Sequence, residues 1–183
     1  MNIHQQLDLQ YSEQSEFMKL PDTPEELTEL FRKLGARHPD KWAVSQLKES
    51  IPQLHRYLWL REAWKRIIPD DSYEWMDTEI KRAQAKPNGP YSGVGLALQR
   101  CLDKGIEKED LKEIVRGKQA QLLFALCYLL ETQNFSEEEM RGLCWGLFQT
   151  DENGNPINRI PGLHESVLDT DPSGREMRPK TGA

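Results

Sequence analysis

The sequence has few cysteines, and they form no recognisable motif. Cys101, Cys127 and Cys144 lack the Cys-x-x-Cys spacing of zinc and redox sites. Each lies in an apolar context with helical spacing, so we expect all three to be buried and reduced. The first residues also lack the basic-then-apolar pattern of a secretion signal. We therefore expect a cytoplasmic protein.

Long apolar runs and an excess of positive charge are also missing. The longest apolar run covers residues 122–130, whereas a membrane-spanning helix needs about 20 apolar residues. The formal net charge is -6, which disfavours broad binding to nucleic acids or anionic membranes. We expect no membrane association, and nucleic acid is an unfavoured partner.

No motif for catalysis or cofactor binding is recognisable. The four histidines are far apart in the sequence: His4, His38, His55 and His164. The best metal candidate combines His164 with Glu165, Asp169 and Asp171, but a single histidine favours a solvated acidic segment. We predict no metal and no cofactor, and the sequence identifies no small-molecule ligand.

Helical periodicity is strong, and it is strongest in residues 109–130. The first half of this segment has apolar residues at helical spacing, and the second half is apolar on every side. A helix that is apolar all round is normally surrounded by protein. We therefore predict the central buried helix of a helical core, with three leucines almost fully buried: Leu123, Leu126 and Leu130.

Capping residues and prolines divide the rest of the chain. Thr23, Pro24 and Glu26 mark the start of a helix that Gly35 ends. Further helices are expected to begin near Pro39 and Asp71. Pro52 either kinks the helix from Pro39 or opens a third helix that runs to about Ile68, and another helix follows the loop at residues 86–93. The sequence thus predicts a mostly α, single-domain helical bundle of about six or seven helices.

The two ends of the chain are expected to differ from this domain. Residues 1–22 are polar and predict a flexible N-terminal arm, and the helical domain covers residues 23–168. Residues 169–183 have little to bury and predict an extended C-terminal tail. Its turn residues and alternating charges are also typical of a segment that wraps a surface, of this domain or of a partner.

Residues 136–160 allow two interpretations. Apolar residues from Met140 to Phe148 recur at helical spacing, and Ser136 with Glu139 forms a capping box, which favours a helix. The alternative is a strand over residues 143–150 that leads into a small β-hairpin near residue 154. Beyond it, the apolar residues of 157–168 suffice for a short helix.

Two tryptophans lie off the predicted core faces of their helices. Trp59 lies opposite Leu60 and Trp64 on the helical wheel, and Trp42 lies opposite Ala43. Exposed tryptophan beside arginine is typical of protein interfaces. The predicted partner-binding face consists of Trp42, His55, Trp59, Glu62 and Arg66. The alternative is that another part of this chain covers both tryptophans.

Taken together, these patterns favour a non-catalytic protein-protein interaction module of the adaptor, inhibitor or immunity type. The expected partner is another protein. The alternative is an enzyme whose polar site is assembled from distant residues around His55 or residues 164–171. A pocket with one of these histidines beside two carboxylates would favour the enzyme. A flat exposed face around Trp59 would favour binding.

Overall fold

The first helix begins at the residue that its capping signals predict. A computed structural model describes residues 20–133, 136–140 and 142–180 of the chain. In it the Thr23 hydroxyl accepts a hydrogen bond from the backbone N–H of Glu26, and Pro24 opens the helix. Most of the predicted N-terminal arm lies outside the described residues.

The described residues contain six α-helices and one two-stranded sheet, which form a mostly α single domain. The helices are α1 (Pro24–Lys33), α2 (Pro39–Glu49), α3 (Gln53–Trp64), α4 (Glu74–Ala85), α5 (Ser92–Asp103) and α6 (Lys108–Glu131). None of them combines the length and the apolar content that crossing a membrane requires.

Two helix boundaries differ from the prediction. The third helix ends at Trp64 instead of near Ile68, because the backbone of Ile68 bonds to the side chains of Gln119 and Arg116 on α6. The helix predicted to begin at Asp71 begins at Glu74, whose N–H donates to the Ser72 hydroxyl. In both places, side-chain contacts replace the local capping signal.

The core consists of three clusters of buried apolar side chains. Helices α1 and α2 enclose the first cluster with α3, around Phe31 and Tyr57. Helices α4 and α5 form a hairpin whose cluster reaches Leu111 on α6. This hairpin is tightly packed, since a Cβ atom on Gly95 would lie 2.2 Å from the carbonyl oxygen of Glu79. The third cluster joins α3, α6 and residues 160–167.

The hairpin alternative is correct, and the helix predicted over residues 140–148 is wrong. Strand β1 (Phe148–Thr150) pairs antiparallel with strand β2 (Pro156–Arg159), with Phe148 opposite Arg159. A short 3-10 turn covers Glu138–Met140, and Gly142 then takes a φ of 96°, which a helix does not tolerate. The Asp151 carboxylate accepts two backbone N–H groups and so shapes the hairpin turn.

Candidate protein-binding surface

Trp42 is buried, so the prediction that it forms an exposed binding face with Trp59 is wrong. Only 7 % of Trp42 is exposed. Its ring lies 5.9 Å from the Phe31 ring on α1 and 5.4 Å from the Tyr57 ring on α3, between centroids. The helical wheel of α2 missed this because α1 packs against the side that the wheel left open.

Trp59 is half-buried and packs against the third core cluster. On the same side of α3, Glu62 is exposed, but its carboxylate is paired with Lys65 at 2.7 Å and Arg61 at 3.1 Å. Arg66 is exposed just beyond the helix. His55 is half-buried, and this burial lowers the pKa of its imidazole. The predicted face is thus reduced to a small surface around one partly covered indole.

The acidic group near His164 does not assemble into a polar site. His164 Nδ1 lies 3.3 Å from a Glu131 carboxylate oxygen, whereas the Asp171 carboxylate lies 2.6 Å from Arg116. Asp169 lies 3.6 Å from Arg37. The described part of the chain holds no group of three or more His, Cys, Asp or Glu side chains arranged for a metal ion.

The first half of α6 carries two buried cations. Lys112 is 2 % exposed, and its ammonium group donates to the Asp70 carbonyl at 2.7 Å and to Glu109 at 2.8 Å. Arg116 is 1 % exposed and donates to the Ile68 carbonyl and to Asp171, both at 2.6 Å. Such charge-assisted hydrogen bonds offset part of the free-energy cost of burying these side chains.

Residues 169–180 supply much of this network, so the extended tail predicted for residues 169–183 is wrong over this part. Arg175 binds Asp70 at 2.5 Å and Glu113 at 2.8 Å, and Lys180 binds Glu109 at 2.7 Å. Hydrogen bonds from Lys112, Lys180 and Tyr73 lower the pKa of Glu109 to about 2. The segment folds back over α6 and belongs to the domain.

A cleft of about 660 Å³ lies between the end of α3 and this folded-back segment. Its walls include the Trp64 ring, over which the Arg116 guanidinium lies at 5.2 Å. Cations and carboxylates line it together, and its lining contains neither histidine nor cysteine. The cleft therefore lies beside the ion-pair network of Asp70 and Arg116.

The second half of α6 exposes its apolar residues. Seven of the nine residues 121–129 are exposed, and the two buried ones are Leu123 and Cys127. We name the seven exposed residues the α6 ridge: Gln121, Leu122, Phe124, Ala125, Leu126, Tyr128 and Leu129. Leu123 is 8 % exposed as predicted, but Leu126 is 47 % exposed, so its predicted burial is wrong. Leu130 is half-buried, which also falls short of the prediction.

The ridge is exposed because the α4–α5 hairpin covers only the start of α6. Leu111 and Leu122 lie on the same side of the helix, since eleven residues make about three turns. The hairpin packs against Leu111 and leaves Leu122 exposed. Of residues 121–129, Leu123 and Cys127 belong to the third core cluster.

The loop before the hairpin extends the ridge. The Trp145 indole N–H donates to the Leu129 carbonyl at 2.8 Å, and 41 % of Trp145 remains exposed. Its neighbour Cys144 is exposed too and Cys101 is half-buried, so the predicted burial of all three cysteines is correct only for Cys127. By contrast, burial raises the pKa of the Cys127 thiol to about 12.

Comparisons with protein-family models, with curated proteins and with solved structures found no match. The functional interpretation therefore depends on the geometry described above. The sequence did contain one signal that part of α6 would be exposed: only 37 % of the residues of the whole chain are hydrophobic. A chain with this composition has few other apolar segments that could surround a helix that is apolar on every side.

Proposed function

We propose that this chain is a non-catalytic protein-binding module of the adaptor, inhibitor or immunity type, and that it binds through the α6 ridge. The observation that carries the proposal is the exposure of large apolar side chains on one continuous helix: Leu122, Phe124, Leu126, Tyr128 and Leu129. Apolar patches of this kind on a soluble protein are typical of interaction sites.

The chemistry of the ridge indicates the kind of partner. Residues 119–130 contain no Asp, Glu, Lys or Arg. An uncharged apolar helix face binds best to another apolar helix or groove, where its leucines fill gaps between the partner's side chains. Acidic net charge and an uncharged face both disfavour nucleic acid as the partner.

The surface around Trp59 remains a second, smaller proposal. His55, Trp59, Glu62 and Arg66 are partly or fully exposed, and an indole beside an arginine suits the edge of a protein interface. Trp42 no longer belongs to it. We also propose a cytoplasmic location, which the three free thiols support.

The enzyme alternative has less support. The carboxylates near His164 are tied to separate cations, as Asp169 is to Arg37 and Asp171 is to Arg116. His164 itself contacts Glu131 and the rings of Phe124 and Tyr128. These contacts pair Asp169 and Asp171 with arginines instead of with His164, whereas the enzyme was expected to place His55 or His164 beside two carboxylates.

Site-specific photo-crosslinking in the full chain tests the proposal. A photoreactive phenylalanine analogue replaces Leu126 in one variant and Val94 on α5 in a control, because both residues are 47 % exposed. Irradiation in native lysate should give protein adducts at position 126 and not at position 94. Equal adducts at both positions, or none at position 126, would contradict the proposal.

A further inference from the structure

We infer that the partner of the α6 ridge is a second copy of this chain, bound antiparallel about a two-fold axis that passes between Ala125 and Leu126. This inference rests on the proposed function, because it names the occupant of the same surface. Three features of the ridge carry it: the order of its side chains by size, its charge distribution and its area.

One side of the ridge carries side chains that are self-complementary in size. Leu122, Ala125, Leu126 and Leu129 follow the spacing i, i+3, i+4, i+7, which keeps them on one side of α6. A two-fold axis between residues 125 and 126 places Leu122 opposite Leu129 of the second copy. The same axis places the small Ala125 opposite the large Leu126, so that a side chain fits over each gap.

Charge favours the antiparallel orientation over the parallel one. Lys118 is the exposed charged residue just before the ridge. In a parallel pair it would lie beside Lys118 of the second copy. In the antiparallel pair the two lysines are about 22 Å apart along the helix axis, at 1.5 Å per residue. That distance exceeds the Debye length of about 8–10 Å, and the two helix dipoles also oppose each other favourably.

The exposed area suits a reversible dimer. The large side chains on this side of the ridge, with Trp145 beside them, are each about half exposed: Leu122, Leu126, Leu129 and Trp145. With roughly 150–250 Å² for a fully exposed large side chain, these four offer about 300–500 Å² per copy. Two copies then bury about 600–1,000 Å² in total, which is the range of weak, transient interfaces. We therefore expect a dimer that dissociates on dilution.

Sedimentation velocity of the full chain over a wide concentration range tests this inference. The wild-type chain should change reversibly from monomer to dimer as its concentration rises. Ala125→Glu should raise the dimer dissociation constant at least tenfold, because the symmetric pair would bring two carboxylates into an apolar contact. Val94→Glu, which adds the same charge on α5, should leave the constant unchanged.

A charge-reversal pair shows whether the two ridges face each other. Ala125→Glu and Ala125→Lys should each be monomeric alone, and an equal mixture should recover the dimer, because opposite charges then meet across the axis. Ala125 is exposed in the monomer, so both variants should keep the wild-type circular dichroism melting curve at concentrations where the wild type is monomeric. A dimer that Ala125→Glu leaves unchanged would overturn the inference, since it would use another surface.

A wild-type chain that stays monomeric at every concentration would also overturn it. The crosslink at position 126 then separates the two proposals. Adducts whose mass differs from twice the chain mass would leave the proposed binding function standing with a different partner. No adduct at position 126 would contradict both proposals together.

Discussion

The two halves of α6 reverse the usual relation between polarity and burial. In the first half, the charged Lys112 and Arg116 are almost completely buried. In the second half, Leu122 and Leu129 are more than half exposed. The comparison shows that neighbouring segments, and not the side chain alone, decide which residues of a helix become core.

The buried charges are tolerated because other parts of the chain supply their partners. Arg116 binds a carbonyl from the segment that follows α3 and a carboxylate from residues 169–180. The Asp171 carboxylate also accepts hydrogen bonds from Ser173, which fixes its position. An isolated buried ion would cost several kcal/mol, and the hydrogen bonds of Arg116 to Ile68 and Asp171 offset part of that cost.

The exposed leucines have no such intramolecular partner among the described residues. The α4–α5 hairpin and the third core cluster each cover part of α6, and the ridge lies outside both. In the proposed dimer, the second copy would cover the ridge, as residues 169–180 cover the first half of α6. The first half of the helix would thus be buried by its own chain and the second half by the second copy.

The largest effect is expected from breaking the buried ion pair. Arg116→Met should lower the free energy of unfolding by about 3–5 kcal/mol, because it leaves the Asp171 carboxylate buried without its cation. Urea denaturation measures this loss.

A control and a second variant sharpen that result. Lys118→Met removes an exposed cation from the same helix and should change the stability little. Adding Asp171→Asn to Arg116→Met should restore part of the lost stability, because the uncompensated charge disappears. A small loss for Arg116→Met would mean that the buried network contributes little.

The next effect compares two leucines three residues apart. Leu123→Ala should lower the free energy of unfolding by about 2–4 kcal/mol, because the side chain is buried in the third cluster. Leu126→Ala should cost less than about 1 kcal/mol at concentrations where the chain is monomeric, since half of its surface is already in water. Both values come from urea denaturation at low protein concentration. Equal losses would contradict the exposed ridge.

The smallest effect concerns the pH dependence of the Glu109 contacts. The pKa of Glu109 is lowered from 4.5 to about 2, so its contribution to stability is complete above pH 4.5 and disappears as the pH falls towards 2. Glu109→Gln should therefore lower the melting temperature above pH 4.5, and the two melting curves should converge near pH 2.

The matched control is Glu152→Gln, an exposed substitution in the hairpin turn. It should leave the melting temperature close to that of the wild type at neutral pH. A difference between Glu109→Gln and the wild type that stays constant down to pH 2 would mean that the hydrogen bonds of Glu109 do not depend on its charge.

Local signals in the sequence determined the helical class and several element boundaries. The Thr23 cap, Pro39 and the long periodic segment each act within one or two turns of backbone, so a single sequence contains all the information that they need. The turn around residue 154 was also visible, because the Asp151 side chain bonds to its own neighbours.

Tertiary structure alone decided which sides of these helices became core. The sequence predicted an exposed Trp42, but α1 packs against it. The sequence also predicted a buried Leu126, but the α4–α5 hairpin contacts α6 near Leu111 and leaves Leu126 exposed. Arg116 and Asp171 are 55 residues apart, so no local pattern could pair them. Burial depends on contacts between segments that are distant in the sequence, and a helical wheel includes only one segment at a time.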